Sequence, residues 1–517
     1  MRSSRAAVPV QLVLGLTEPQ SSGLGGGALL LWHDARTRRI VAYDGRETAP
    51  AAARPDRFLK DGKPVDFFDA VVGGRSVGVP GVVRLLETMH RRHGRLPWSA
   101  LFAPAIALAE GGFAMSPRLH QLVGVERHMT QPRLREYFFD ANGKVLPVGT
   151  TLRNPAYART LRAIAAGGAA AFYTGDIARD IVETVTQHPF NPGDLTLADL
   201  AGYRVVRRDA VCDTYRVYRV CGFPLPSSGG IAVLQMLKML ERFDMAAMEP
   251  AGFWSVHLFS EAGRLAFADR SVYAADPAYY APPSGLLDPA YLRARSALIR
   301  TGASMGPALP GDPPERDQRT RRVAWGTSAA LDLPSTSHVS IVDRYGNALS
   351  MTTTIENAFG SRLMTRGGFL LNNELTDFAF VPEADGKPVA NRVEGGKRPR
   401  SSMAPTIAYD RHGRVAIVTG SPGGSAIINY VAKTLVGIID WKLDPQAAID
   451  LPNFGSRNGP TELELGTAVA HLAPKLRALG APVSTIDMTS GAQAIVRTRD
   501  GWTGGTDPRR EGLVLGR

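Results

Sequence analysis

Cysteine is almost missing from this 517-residue chain: Cys212 and Cys221 are the two it has. So low a count excludes a disulfide scaffold, and without a CxxC pair it supports no structural metal site. The two flank "DTYRVYRV", a spacing that suits positions on or near one strand and leaves a disulfide open. Long hydrophobic runs are missing too. No stretch reaches the roughly eighteen apolar residues of a membrane helix, so no membrane span is expected. The opening "MRSSRAAVPVQLVLGL" has the basic and apolar look of an export signal, but Pro9 and Gln11 interrupt it and no small-residue cleavage site follows, so export by this segment is not expected. A concentrated basic stripe is also lacking. The net charge of +12 comes mostly from scattered arginine, with small clusters at "HRRHGR" and "DQRTRR" and no interleaved aromatics. Nucleic-acid binding needs both a stripe and stacking side chains, so a solvated basic surface is expected, with no nucleic-acid partner. His90 and His93 can share a helix face, yet no third ligand sits near them, so neither a metal nor any other cofactor is expected.

What is present is length enough for either two domains or one large layered body, since single cores stop growing at about 250–300 residues. Helical periodicity is clearest in "GVVRLLETMHRRHG", "PAYARTLRAIAAG", "IARDIVETVTQ", "IAVLQMLKMLERF" and "SVHLFSEAGRLAFADRSVYA". A strand pair interrupts them at "YRVVRRDAVCDTYRVYRVCG". Residues 302–335 turn to Gly, Pro, Ser and charge, the composition of a flexible connector. Short strands follow, "HVSIVD", "ALSMTTTI", "GFLLNN", "APTIAYD" and "RVAIVTG", then the helix "AIINYVAKTLVGIIDW" and the strands "AQAIVRT" and "DGWTGGTD". Near the start lie "ALLLWHD" and "RRIVAYDGRETAP". Strands from both ends with helices between them make a central sheet stack covered by helices the economical architecture, an α/β fold.

Three motifs compete for the chemistry. "GLGGGA" at 23–28 satisfies a dinucleotide fingerprint in letters, but a strand follows it where a helix is required, so nucleotide binding is not expected. "TGSPGGSAIINYV" runs strand, glycine turn, helix without the P-loop lysine. It is read either as an ordinary strand–helix turn or as backbone N–H groups at Gly423, Gly424 and Ser425 aimed at developing negative charge. The third is "PSTSHVSIVDRYGNALSMTTTIENAFGS", a hairpin with hydroxyls on both arms. Threonine-rich strands are commonly just the wet face of an antiparallel sheet. If "RYGN" is the loop, however, Asp343 pairs with Ala348, and Thr354 falls beside Thr336 and Ser337. A cut in the connector just before Thr336 would free an α-amine of pKa ~7.7–8.0 within one residue of its own hydroxyl. An N-terminal threonine activated by its amine is an established nucleophile.

With these segments, and with "TEPQSSGLGGG", "YDGRETAP", "SVGVPGVVRLLETMHRRHGRLPW", "PSSGGIAVLQML", "EAGRLAFADRSVYAADP", "LLNNELTDF", "KRPRSSMAPTI", "SPGGSAIINYV" and "GGTDPRREG", the chain resembles the γ-glutamyltransferases, or glutathione hydrolases, of the N-terminal nucleophile superfamily almost end to end. The resemblance implies a four-layer αββα sandwich and autocatalytic cleavage into a large subunit, 1–335, and a small one, 336–517, that stay together as one intertwined domain. It implies Thr336 as nucleophile on a γ-glutamyl amide, Thr354 hydrogen-bonding it, and the Gly423 and Gly424 amides holding the oxyanion. Arg46, Ser401 and Ser402 fall where the family binds the α-carboxylate, and Glu374 and Asp377 where it binds the α-ammonium. The chemistry agrees, since arginine pairs carboxylates and acids neutralise amines.

The sequence departs from that pattern in three places. Upstream of "AAVPVQLVLGL" the family carries a further segment, often a secretion signal, so this chain reads as N-terminally truncated; the family is periplasmic or secreted, and without a signal the cytoplasm is the alternative. Glu356 stands where related transpeptidases carry an asparagine against the substrate amine. Residues 381–398, "VPEADGKPVANRVEGGKR", are short and lack the aromatic lid residue, which implies an open site. The expected activity is a γ-glutamyl hydrolase or transferase. The alternatives are an acylase of the same fold that removes a glutaryl-type side chain from a β-lactam nucleus, and an unprocessed non-catalytic member.

Overall fold

In the computed structural model, the described residues are 3–315, 324–328 and 335–516. Of the expected connector, 316–323 and 329–334 lie outside them. The strands that matter are β1 (Gly27–Asp34), β2 (Arg39–Gly45), β3 (Val206–Arg208), β4 (Val211–Tyr215), β5 (Tyr218–Gly222), β6 (Ser337–Val342), β7 (Ala348–Thr354), β8 (Thr406–Tyr409), β9 (Val415–Gly420), β10 (Gln493–Arg497) and β11 (Trp502–Thr506). They form two antiparallel sheets, in the orders β6-β7-β1-β2-β3 and β11-β10-β9-β8-β5-β4. Each sheet mixes strands from both sides of Thr336.

The layers follow from side-chain alternation. Along β1, Ala28, Leu30 and Trp32 join one core while Leu29 and Leu31 join another. A continuous apolar run of this kind belongs to a strand covered on both faces. The first core is closed by α1 (Ser3–Thr17), α2 (Val82–His93) and α3 (Pro155–Gly167). On α2 the buried apolar side chains are Val82, Val83, Leu85, Leu86 and Met89, a stripe at helical spacing, while Arg84 and Arg91 reach toward the buried Glu87. The opening segment is therefore a helix, with Ala7, Val8, Leu12 and Leu16 in the core and Pro9 inside it. The second core lies between the sheets and under α4 (Gly229–Leu240), α5 (Phe253–Tyr273) and α6 (Ile427–Ile439). The result is helices, sheet, sheet, helices.

Two expectations need correction. The hairpin turn is one residue shorter than "RYGN": Val342 pairs with Ala348, and the Asp343 amide donates to the Asn347 carbonyl at 3.0 Å. The Asp343 carboxylate accepts from the amides of Tyr345 and Asn347, and Gly346 takes φ +84, so the reversal completes in Arg344–Gly346. Ser337 therefore faces Thr353, and Thr336 comes opposite Thr354. "GFLLNN" is not a strand either. It makes single bridges, Met364 with Leu370 and Gly25 with Leu371, because the Asn372 side chain accepts from the Gly78 amide and donates to the Gly25 and Gly78 carbonyls where a ladder would continue.

Candidate active site

The hairpin's hydroxyls are not on a wet face. Leu349 and Met351 of β7 point into the helix-covered core, which turns the alternate residues toward the second sheet. There the Ser350 hydroxyl donates to the Thr419 carbonyl at 2.9 Å and accepts from the Thr406 amide. His338 lies against Gly420, with ring nitrogens bonded to the hydroxyls of Thr352 and Ser340. Burial holds its imidazole down to about 3, so it is neutral at ordinary pH. The same row ends at Thr336 and Thr354, whose hydroxyls share a hydrogen bond of 3.0 Å. The Glu356 amide donates to Thr354 Oγ1 at 2.9 Å, which fixes that hydroxyl, and Arg510 donates to the Thr336 carbonyl at 3.0 Å. Thr336 itself sits at φ +86, a region costly for a β-branched residue.

One small cavity, about 30 Å³ in the uncut chain, is lined by Arg46, Thr336, Thr354, Glu356, Glu374, Asp377, Ser401, Ser402, Met403, Gly424 and Ile427. It gathers Glu356 and every residue to which the resemblance gives a role in the site, except Gly423. Gly423 is the preceding residue, at φ +137, and a Cβ there would stand 2.5 Å from the Tyr430 ring. Gly424, at φ +59, opens the helical turn that leads into α6.

Arg46 leaves the end of β2 and is buried. Its guanidinium pairs with Glu374 and Asp377 and also donates to the Arg400 and Pro399 carbonyls. Burial opposes the charge, but Glu374 and then Asp377 overcome it and hold Arg46 more firmly protonated than usual. The Ser402 hydroxyl accepts from Arg270 of α5 at 2.6 Å, and Arg270 also bonds Ser228. The Ser401 hydroxyl accepts from the Met403 amide. Glu356 is buried at φ +74 with its carboxylate accepting from the Asn373 amide group, so it faces the pocket wall. The "lidless" segment forms a two-residue-armed hairpin, Glu383–Ala384 with Lys387–Pro388.

Sequence reasoning missed the residues behind these: Arg270, Asn373, Arg510, Met403 and Ile427. All five lie inside the segments quoted for the resemblance, but no spacing rule joins residues this far apart in the chain to one pocket.

A threonine hydroxyl placed at the head of a strand in a stacked αββα body, beside a second hydroxyl and a glycine turn, defines an N-terminal nucleophile hydrolase. The profile of the Gamma-glutamyltranspeptidase family matches residues 3–516, and the chain belongs to that family. It is 33% identical over 518 residues to the Glutathione hydrolase proenzyme of Bacillus subtilis (strain 168), covering 99% of this chain and 87% of that one. It is 34% identical over 469 residues to the Acylase ACY 1 proenzyme of Pseudomonas sp. (strain V22), covering 89% and 79%. The crystal structure of cephalosporin acylase from Bacillus halodurans superposes with a TM-score of 0.85 at 25% identity, covering 99% of this chain and 91% of that one.

Proposed function

We propose that this chain is a precursor that cuts itself between Ser335 and Thr336, giving 1–335 and 336–517, and then hydrolyses or transfers the γ-glutamyl group of amides such as glutathione. The observation that carries this is the single pocket in which the paired Thr336 and Thr354 hydroxyls meet Arg46, the acids Glu374 and Asp377, and the hydroxyls of Ser401 and Ser402. In the cutting step Thr336 Oγ1 adds to the Ser335 carbonyl carbon, its proton passes to the Thr336 nitrogen as the C–N bond breaks to leave an ester and a free amine, and water cleaves the ester. The freed amine takes the Oγ1 proton in turnover. Oγ1 adds to the γ-carbonyl, the Gly423 and Gly424 amides take up the oxyanion, and the leaving amine departs with the proton. Water or an acceptor amine then takes the γ-glutamyl group from Thr336.

Arg46 with Ser401 and Ser402 binds the donor α-carboxylate; Glu374, Asp377 and Glu356 bind the ammonium. A glutaryl donor has no ammonium for these acids, which sets the acylase reading second. The Cys212–Cys221 disulfide between β4 and β5 supports an oxidising compartment. The test is the mass of the purified chain together with release of chromophore from γ-glutamyl and glutaryl anilides. Two fragments cut before Thr336 and preference for the γ-glutamyl donor are expected. An uncut, inactive wild type would leave the non-catalytic reading, and glutaryl preference would leave the acylase.

A further inference from the structure

Behind the pocket lies a carboxyl that the reaction does not use. Glu47 follows Arg46 in the chain and is fully buried. Its side chain fills a slot that glycine keeps open on two sides: a Cβ on Gly27 would stand 2.3 Å from Glu47 Oε2, and one on Gly78 2.9 Å from Glu47 Cβ. Among the described residues neither Glu47 oxygen makes a hydrogen bond of full geometry; its own backbone amide and the Glu374 carboxyl are the groups that approach it. The titratable groups that act on it are Arg46, Glu374, Tyr173 and Tyr203. Four of the five Arg46 N–H groups go to Glu374, Asp377 and two carbonyls, and none goes to Glu47. Tyr203 donates to the Arg46 carbonyl and Tyr173 to the Pro80 carbonyl. Only the Glu374 carboxylate remains beside it.

A carboxylate in such a slot would be a buried charge with no donor from any other residue, next to another carboxylate. Glu374 is the carboxyl ion-paired with Arg46, so the proton belongs on Glu47. We propose that Glu47 is a positioning residue that works as an un-ionised carboxylic acid, donating a hydrogen bond to Glu374 and holding it against Arg46 in the donor pocket. Burial, then Glu374, push its carboxyl well above the usual range, in the same direction. The consequence for binding rests on the γ-glutamyl reading, whereas the protonation does not. With Glu47 neutral, the Arg46–Glu374 pair keeps one orientation, and the guanidinium edge facing the cavity is fixed for the donor carboxylate.

Three measurements test this. The infrared difference spectrum of wild type minus Glu47→Gln, on resting protein at neutral pH, is expected to show a carboxylic-acid carbonyl band. Glu47→Gln, which keeps a donor toward Glu374, is expected to hold the γ-glutamyl donor KM within about twofold. Glu47→Ala is expected to raise KM about tenfold while kcat stays within about threefold, as positional loss in binding requires. A difference spectrum without the acid carbonyl overturns the proposal, as does Glu47→Gln behaving like Glu47→Ala or Glu47→Ala behaving like wild type. If the alanine variant does not fold, the spectrum and the Glu47→Gln kinetics still decide. If wild type turns over no γ-glutamyl donor, the functional reading fails while the spectrum still reports on Glu47.

Discussion

Thr336 holds a left-handed backbone in the uncut chain, a conformation that costs ~1–3 kcal/mol for a non-glycine residue and is released when its amide becomes a free amine. The strain falls at the bond we propose is cut, so Thr336→Ala is expected to persist as one chain on a denaturing gel and Thr336→Ser to mature slowly. An alanine variant that still splits there would rule out self-cleavage by this hydroxyl. Thr354→Val removes the hydroxyl partner of Thr336, and loss of a bond worth about 1–3 kcal/mol predicts a kcat lower by roughly ten- to a hundredfold with little change in KM, read with a γ-glutamyl anilide. Arg46 needs a gentler substitution than alanine. Deleting it would strand Glu374 and Asp377 in the interior, at about 3–5 kcal/mol, and mix folding with binding. Arg46→Lys keeps the charge, loses the fork, and is expected to raise KM by about an order of magnitude. Glu356→Asn removes one of three pocket acids and is expected to shift the glutamyl-over-glutaryl preference; identical ratios in both proteins would remove Glu356 from recognition.

At the scale of elements, the hairpin positions the site because its alternate residues lie between the sheets, where there is no room to spare. A Cβ on Gly420 would stand 2.2 Å from the His338 ring, so Gly420→Ala is expected to cost about 1–3 kcal/mol by overpacking and lower the melting temperature. His338 also makes the stack acid-sensitive. Its folded value lies near 3 and its unfolded value near 6.5, so above pH 6.5 it is neutral in both states and its contribution is intact. As pH falls from 6.5 toward 3, only the unfolded chain takes the proton and stability drains away. Urea titrations across that window should show a falling midpoint, with a shallower slope in His338→Asn. Most elements here were legible in the sequence, since α2, α4, β1 and β9 carry clear periodicity or unbroken apolar runs. The turn was not, because the one-residue difference between "RYGN" and Arg344–Gly346 is set by where the Asp343 carboxylate caps, and two readings of the letters fit equally well. "GFLLNN" failed for a similar reason, as side-chain bonds from Asn372 replace the ladder its composition suggests.

On the scale of the whole molecule, β1 of the amino-terminal part pairs with β7 of the carboxy-terminal part, and β5 pairs with β8. A cut before Thr336 therefore severs no sheet, and the two fragments are expected to co-elute in gel filtration and separate only in denaturant. Elution of free fragments without denaturant would contradict the interleaved fold. By itself the sequence determined the layered α/β class, the hydroxyl-bearing hairpin, the glycine turn and, through resemblance, which acids, serines and arginine to watch, because local periodicity and short motifs are written in adjacent letters. Only the tertiary structure decided that those hydroxyls are buried between sheets, that Arg46 is clasped by Glu374 and Asp377, that Glu356 faces the pocket wall, and that Glu47 is buried beside Glu374. Those outcomes depend on which side chains meet across more than three hundred residues of chain, as Arg46 and Glu374 do at a separation of 328. Burial sets the protonation of such groups, and a linear sequence does not contain burial.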